Sequence, residues 1–184
     1  MIKREYWENG QIKKEIYYQN NMSHREDGSG YIIYEDGFYC ENEDGSIERE
    51  VHDINGEIHR EDGPAVIYYY ESGKIKKELY YINDKTHREN GPAELQYYES
   101  GKIQCEEYFI ENKYHRENGP VYITYHENES VSFEAYYIDG DCHREDGPAL
   151  IWYHKNGEIE VEEYYINGEK CDILQEMVIK GLKK

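Results

Sequence analysis

Apolar and polar residues alternate along much of this chain with a period of two. In Ala65-Val66-Ile67-Tyr68-Tyr69-Tyr70, the residues Ala65, Ile67 and Tyr69 fall on one face of an extended strand. Glu71-Ser72-Gly73-Lys74 reads as a turn, Ile75 to Ile82 as a second strand, and Asn83-Asp84-Lys85-Thr86 as another turn. β-Branched and aromatic residues bounded by Gly, Asn and Asp clusters predict strands, so this segment predicts one β-hairpin plus a connection. The pattern then returns. Ala93, Leu95 and Tyr97 take the same places, then Val121, Ile123 and Tyr125, then Ala149, Ile151 and Tyr153. The second strand recurs as Tyr80-Tyr81-Ile82, Tyr108-Phe109-Ile110, Tyr136-Tyr137-Ile138 and Tyr164-Tyr165-Ile166. Gly45, Gly73, Gly101 and Gly157 mark the turn between the two strands, where positive φ is expected. Glu129 interrupts that series and predicts a different turn in its hairpin.

Each hairpin is introduced by a connector. His59-Arg60-Glu61-Asp62-Gly63-Pro64 recurs as His87-Arg88-Glu89-Asn90-Gly91-Pro92, as His115-Arg116-Glu117-Asn118-Gly119-Pro120 and as His143-Arg144-Glu145-Asp146-Gly147-Pro148. The four histidines stand 28 residues apart; a degraded copy at His24-Arg25-Glu26-Asp27-Gly28 lies 35 before the first of them. A fixed period of this size predicts a repeat architecture. The expected fold is all-β: an elongated single-layer antiparallel sheet of stacked hairpins in a single repeat domain over 1–184. Residues 1–23 form a partial repeat, 24–58 an irregular one, and 59–86, 87–114, 115–142 and 143–170 four regular ones. The irregular repeat holds seven extra residues within 35–44. Residues 171–184 predict a capping helix, with Asp172 at its start, Ile173, Leu174, Met177 and Val178 on one stripe, and Gly181 at its stop. At about 10 Å per two-stranded unit, the sheet would run roughly 50–60 Å.

Composition sharpens this picture. Ile, Leu, Val and Phe make up under one fifth of the 184 residues and the formal net charge is −19, a combination that alone reads as disorder. The phased repeat and 22 tyrosines point instead to a folded protein with a thin, tyrosine-rich core. Cys40, Cys105, Cys142 and Cys171 form no C-x-x-C pair. The first residues lack the apolar run of a secretion signal, and no stretch approaches the ~20 apolar residues of a membrane span. Free thiols in a reducing cytoplasm are the expectation.

Candidate chemistry is sparse. Equivalent histidines one repeat apart, at about 10 Å, cannot share a zinc ion whose nitrogen ligands lie ~2.0–2.1 Å away. No metal site and no cofactor are expected. Ser-His-Asp order, a phosphate-cradling glycine loop, H-E-x-x-H and G-x-S-x-G are all missing, so no enzyme is expected. The connector reads as structural, with Arg paired to a carboxylate of the next repeat and His bonded to backbone. Glu50, Glu78, Glu106, Glu134 and Glu162 share one repeat position and form a row on the sheet, which reads either as a solvated strand face or as a line of carboxylates that imitates a phosphate backbone. Glu41, Glu43 and Asp44 lie in the irregular repeat, the most acidic part of the chain, and are candidate contacts with Glu50, Glu106, Glu134 and Glu162. The acidic field repels nucleic acid and anionic membrane and attracts a basic protein surface.

Trp152-Tyr153-His154-Lys155-Asn156-Gly157 and Tyr164-Tyr165-Ile166-Asn167-Gly168 resemble the MORN-type repeat, closest to its bacterial antitoxin-like variant. The resemblance spans Tyr6 to Lys170 and implies hairpin units stacked into an open sheet, with no catalytic residues. The expected function is a non-enzymatic cytoplasmic protein that binds and blocks a basic partner: toxin immunity, or inhibition of a nucleic-acid-handling defence enzyme by mimicry. The rival is a structural scaffold repeat.

Overall fold

The computed structural model describes residues 2–6, 12–17, 30–34 and 37–41 by their backbone, and 47–54, 56–172, 178–179 and 181 in full. Two compact units divide the chain: Met1–Lys85 with Glu99–Gly101, and Thr86–Tyr98 with Lys102–Lys184.

The first unit opens with β1 (Ile2–Tyr6), β2 (Ile12–Tyr17), β3 (Gly30–Tyr34), β4 (Gly37–Glu41) and β5 (Ile47–Val51). A short hairpin follows, β6 (Asp53–Ile54) and β7 (Glu57–Ile58), then β8 (Val66–Tyr69), β9 (Ile75–Leu79), β10 (Tyr81–Ile82) and β11 (Lys85–Thr86). The long strands lie side by side in the order β1-β2-β3-β4-β5-β8-β9. In the second unit β12 (Glu94–Tyr97), β13 (Ile103–Glu107), β16 (Tyr122–Tyr125), β17 (Val131–Ala135), β20 (Leu150–Tyr153) and β21 (Ile159–Glu163) are adjacent in that order. Between them run the short hairpins β14 (Phe109–Ile110) with β15 (Lys113–Tyr114), and β18 (Tyr137–Ile138) with β19 (Asp141–Cys142); β22 (Tyr165–Ile166) with β23 (Glu169–Lys170) closes the series. The protein is all-β and, but for the β2–β3 pair, antiparallel, built from stacked hairpins as the alternation predicts.

Two features differ from the sequence reading. The predicted second strand breaks after Leu79, Glu107, Ala135 and Glu163. The following Tyr-Ile or Phe-Ile pair starts a second, smaller hairpin in each repeat. Its turn places Asn83 and Asp84, or Glu111 and Asn112, at positive φ in succession, the geometry of a two-residue hairpin loop. The seven extra residues of the irregular repeat make room for one more strand, β3, which pairs in parallel with β2 (Lys14↔Tyr31, Glu15↔Ile32) and antiparallel with β4. Of the predicted C-terminal cap, Val178 and Ile179 have helical backbone, and Gly181 turns at φ +68 with its N–H on the Val178 carbonyl. Asp172, the predicted start, is exposed and outside any helix, and residues 173–177, 180 and 182–184 lie outside the described residues.

The core is thin. Ala65, Ala93, Val121 and Ala149, at the head of each first strand, are sealed, and Ile67, Leu95, Ile123 and Ile151 are buried on the same face. The head residue is held twice. The Ala149 N–H donates to the Glu163 carbonyl (2.9 Å) and its own carbonyl accepts from Tyr136 (2.8 Å); Val121 does the same with Ala135 and Tyr108. On the other face of the first unit, Val51, Val66 and Leu79 pack with Ile58, Tyr68 and Tyr81. The short hairpins therefore cover that face, and the sheet buries something on both sides.

Candidate functional site: the carboxylate-bearing repeat surface

The connectors recur with one geometry. In each, Arg folds back over its own loop and Nη1 donates to the carbonyl of the proline four residues on: Arg60 to Pro64 (3.4 Å), Arg88 to Pro92 (3.0 Å), Arg116 to Pro120 (2.9 Å) and Arg144 to Pro148 (3.3 Å). The guanidinium lies so close to the loop glycine that an added Cβ would meet Arg60 Cζ at 3.1 Å at Gly63 and Arg144 Cζ at 3.0 Å at Gly147. Gly91 and Gly119 have the same approach with positive φ besides. Arg116 and Arg144 also stack over the rings of Tyr108 and Tyr136, each 4.0 Å from the centroid. Nε of Arg60 donates to Asp62 (2.7 Å) and that of Arg144 to Asp146 (2.8 Å). These bonds, with the arginine charge, hold both aspartates below the ordinary carboxylate range. In these two connectors the arginine's carboxylate is thus in its own loop and not in the next repeat, because the short reach from Nε to residue i+2 wins; Arg88 and Arg116 have Asn90 and Asn118 at that place.

His59 and His143 each tie the connector to the short hairpin of its own repeat. The Asn167 N–H donates to His143 Nδ1 (3.1 Å), and the Asn83 N–H to His59 Nδ1 (3.3 Å). The same Nδ1 atoms face the side-chain oxygens of Asn167 (2.9 Å) and Asn83 (2.6 Å), and Nε2 faces Glu145 and Glu61 at 3.8 and 3.7 Å. His87 is half-buried and His115 exposed.

Glu50, Glu106, Glu134 and Glu162 occupy a different setting from a solvated line. All four are half-buried. The register sets Glu106 between Leu95 and Ile123, and Glu134 between Ile123 and Ile151; Glu50 and Glu78 flank Ile67, and Glu162 faces Ile151. Tyrosine hydroxyls bond them: Tyr108 and Tyr125 to Glu106 (3.1 and 3.3 Å), Tyr153 to Glu134 (2.8 Å) and Tyr164 to Glu162 (3.1 Å). Burial first, then the Glu106 charge, pushes the Tyr125 hydroxyl up to about 12. These glutamates are built into the sheet. On the opposite face Glu107 accepts from Tyr114 (2.6 Å), and Glu163 from Tyr165 (3.0 Å) and Lys170 (2.6 Å), which lowers the Glu163 pKa. Phe109, Tyr114 and Tyr137 stack beside them. The backbone of Glu41 ends β4, while Glu43 and Asp44 lie outside the described residues.

Exposed acids lie elsewhere, in the hairpin turns and also in the connectors, which the sequence marks as structural. Glu61 and Glu145 keep 86% and 85% of their side-chain surface in water, and Glu89 and Glu117 at the same repeat position are exposed as well. Their signal was the motif itself: a charged residue between an Arg that folds inward and an Asp that follows it has nowhere to point but out. Cys105, Cys142 and Cys171 are free thiols; burial, then Glu163, pushes Cys142 up to about 11, so it stays protonated and unreactive at neutral pH.

A family model described as MORN repeat variant matches residues 2–20, 65–83, 93–111 and 149–167. Those four segments are similar to MORN-type repeats, and the three at 65–83, 93–111 and 149–167 each span one long hairpin and the start of the short one. The hairpin at 121–139 has the same register, with the same bulge before the last pair, although the family model does not match it. No curated protein matches the chain.

Proposed function

We propose that this protein is a non-enzymatic, cytoplasmic binding module whose exposed connector acids contact a basic protein surface. MORN repeats point to a repeat-based module for binding a protein or a membrane surface, and a formal net charge of −19 favours a cationic protein over an anionic membrane or nucleic acid. The observation that carries this reading is the position of Glu61, Glu89, Glu117 and Glu145: an exposed carboxylate at the same place in every regular repeat, on loops closed by Arg–proline bonds. Such closure limits the ordering cost of binding. Blocking a toxin, or occupying the nucleic-acid channel of a defence enzyme, is the finer proposal and follows the same electrostatics.

The test is co-purification with the full chain from its host cells at rising salt, with mass spectrometry of what is retained. We expect a basic protein that is released as salt rises and lost when Glu89, Glu117 and Glu145 are changed together to lysine. Retention of that partner by the triple variant at physiological salt would sink the connector assignment. Recovery of anionic vesicles in its place would favour membrane.

A further inference from the structure

We propose that the chain also binds a second copy of itself head to tail, with β21 of one copy pairing antiparallel to β1 of the next. This inference does not depend on the connector reading above.

β1 stands first in the strand order of the first unit and β21 last in that of the second, and among the described residues each has one strand neighbour, β2 and β20 respectively. The two hairpins at these ends are equivalent. The matched segments begin at residues 2 and 149, which sets Lys3 with Leu150, Arg4 with Ile151, Glu5 with Trp152 and Tyr6 with Tyr153. Strand pairing agrees with that alignment at every position. Lys3↔Ile16, Arg4↔Glu15, Glu5↔Lys14 and Tyr6↔Ile12 match Leu150↔Glu163, Ile151↔Glu162, Trp152↔Val161 and Tyr153↔Ile159, and the bulge falls at the same step in both. β1 is therefore the first strand of a repeat and β21 the second strand of one. Within the chain a second strand is followed by the next first strand, antiparallel, at β5–β8, β13–β16 and β17–β20. The two ends are the two halves of the step that the protein makes at each of those pairs.

The register of that step decides the chemistry of the joint. Ala135↔Leu150, Glu134↔Ile151 and Phe133↔Trp152 transfer to Glu163 opposite Lys3, Glu162 opposite Arg4 and Val161 opposite Glu5. Two of the three pairs bring opposite charges together. The place of Arg4 is held by Ile67, Leu95, Ile123 and Ile151 in the other repeats, and that of Lys3 by Val66, Glu94, Tyr122 and Leu150, so both cations are peculiar to β1. Lysine and arginine on an edge strand ordinarily discourage pairing; here the edge that continues the repeat is the one that carries matching acids. Glu5 opposite Val161 adds nothing. Two chains of formal charge −19 repel at long range, but that repulsion is screened beyond about 8 Å at physiological ionic strength, and directly opposed side chains lie about 5 Å apart. Such a joint is heterologous and propagates into chains or closes into rings.

Sedimentation velocity on the full chain at physiological ionic strength tests it. We expect species that grow with concentration, and association weakened by at least about tenfold in K3E/R4E, where two attractions become two repulsions. E162K/E163K alone should be equally weakened, and mixing the two variants should restore assembly because each supplies the end the other lacks. Should E162K/E163K fail to fold, carbodiimide coupling of isotopically light and heavy wild-type copies replaces it, with Lys3 expected to link to Glu162 or Glu163 of the other copy. E89K/E117K/E145K should assemble normally, which separates this joint from the partner-binding reading. A monomer at every concentration, assembly indifferent to K3E/R4E, or intercopy links that avoid Lys3 would each overturn the proposal.

Discussion

At the scale of single residues, the turn at Glu129 shows what a sequence pattern can misread. Glycine at Gly73, Gly101 and Gly157 marks a position of positive φ, and glutamate there reads as a change of turn. The turn does not change. Glu129 takes φ +69 and its N–H donates to the His126 carbonyl at 2.8 Å, as Gly157 does to His154 and Gly73 to Tyr70. The strands on either side pair in the common register, so the cost of a left-handed glutamate is met by the rest of the hairpin. Glu129→Gly should therefore stabilise the fold by about 1 kcal/mol, the ordinary penalty for a side chain in that region. The lost pair between Lys102 Nζ and Glu129 (3.3 Å) is largely exposed and contributes little. A higher urea midpoint at unchanged slope would show the gain; an unchanged or lower midpoint would mean that glutamate is favoured there by something local geometry does not reveal. The connector arginine was legible as a paired cation, but its partner was not. Whether it reaches a neighbouring repeat or its own residue i+2 depends on a loop path set by Gly63 and Pro64, and no periodicity encodes that path.

At the scale of elements, the long hairpins were legible because alternation and turn residues agree. The short hairpins were not, since two-residue strands carry too few positions to show a period. Yet they hold the repeats together. Asn112 turns at φ +66, its side chain accepts from the Thr86 N–H (2.8 Å), and its own N–H donates to the Thr86 carbonyl (2.9 Å). Asp84 makes the same pair of contacts with Ile58 (2.7 and 2.9 Å). One residue thus supplies both the hairpin turn and the bond to the preceding hairpin. The turns at the other end interlock too, with Lys102 Nζ on the Glu127 carbonyl (3.0 Å) and Asn128 on that of Lys155 (3.0 Å). Asn112→Ala removes the acceptor and places alanine in a left-handed conformation, and should cost about 2 kcal/mol. Asn112→Asp keeps the acceptor, as Asp84 shows, and should stay within about 0.5 kcal/mol of the parent. Chemical unfolding of both variants decides it: equal losses would mean that the bond between the hairpins contributes nothing.

At the scale of the whole molecule, the sign and size of the charge were legible but not which carboxylates meet water. The Glu106 row shares a repeat position, and the sequence shows that; only the pairing register shows that isoleucine and leucine flank each glutamate and that tyrosines close over it. A sheet poor in aliphatic residues thereby gains a second kind of packing, made of half-buried phenols bonded to half-buried carboxylates, with Tyr164 fully buried. This packing has a pH signature whose sign follows from the protonation states. Burial raises the pKa of Tyr108, Tyr114, Tyr122, Tyr136, Tyr137 and Tyr153, with neighbouring glutamates adding to it at Tyr108, Tyr114 and Tyr153, and it carries Tyr125 to about 12. A group raised in the fold contributes its stability fully below its unfolded value, here about 10, and that contribution is lost as pH rises through the folded value. The acid side runs the other way: Glu163, held low by Lys170 and Tyr165, contributes above the unfolded carboxyl value and is lost as pH falls through the folded one. Because so many phenols resist ionisation together, alkaline titration should not resolve them one by one. Tyrosinate absorbance should lag behind that of free tyrosine, then rise in one cooperative step that coincides with loss of the far-ultraviolet β signal. A gradual titration centred near the free-tyrosine value, with the β signal intact, would mean that the hydroxyls are open to water and that the carboxylate row is solvated after all.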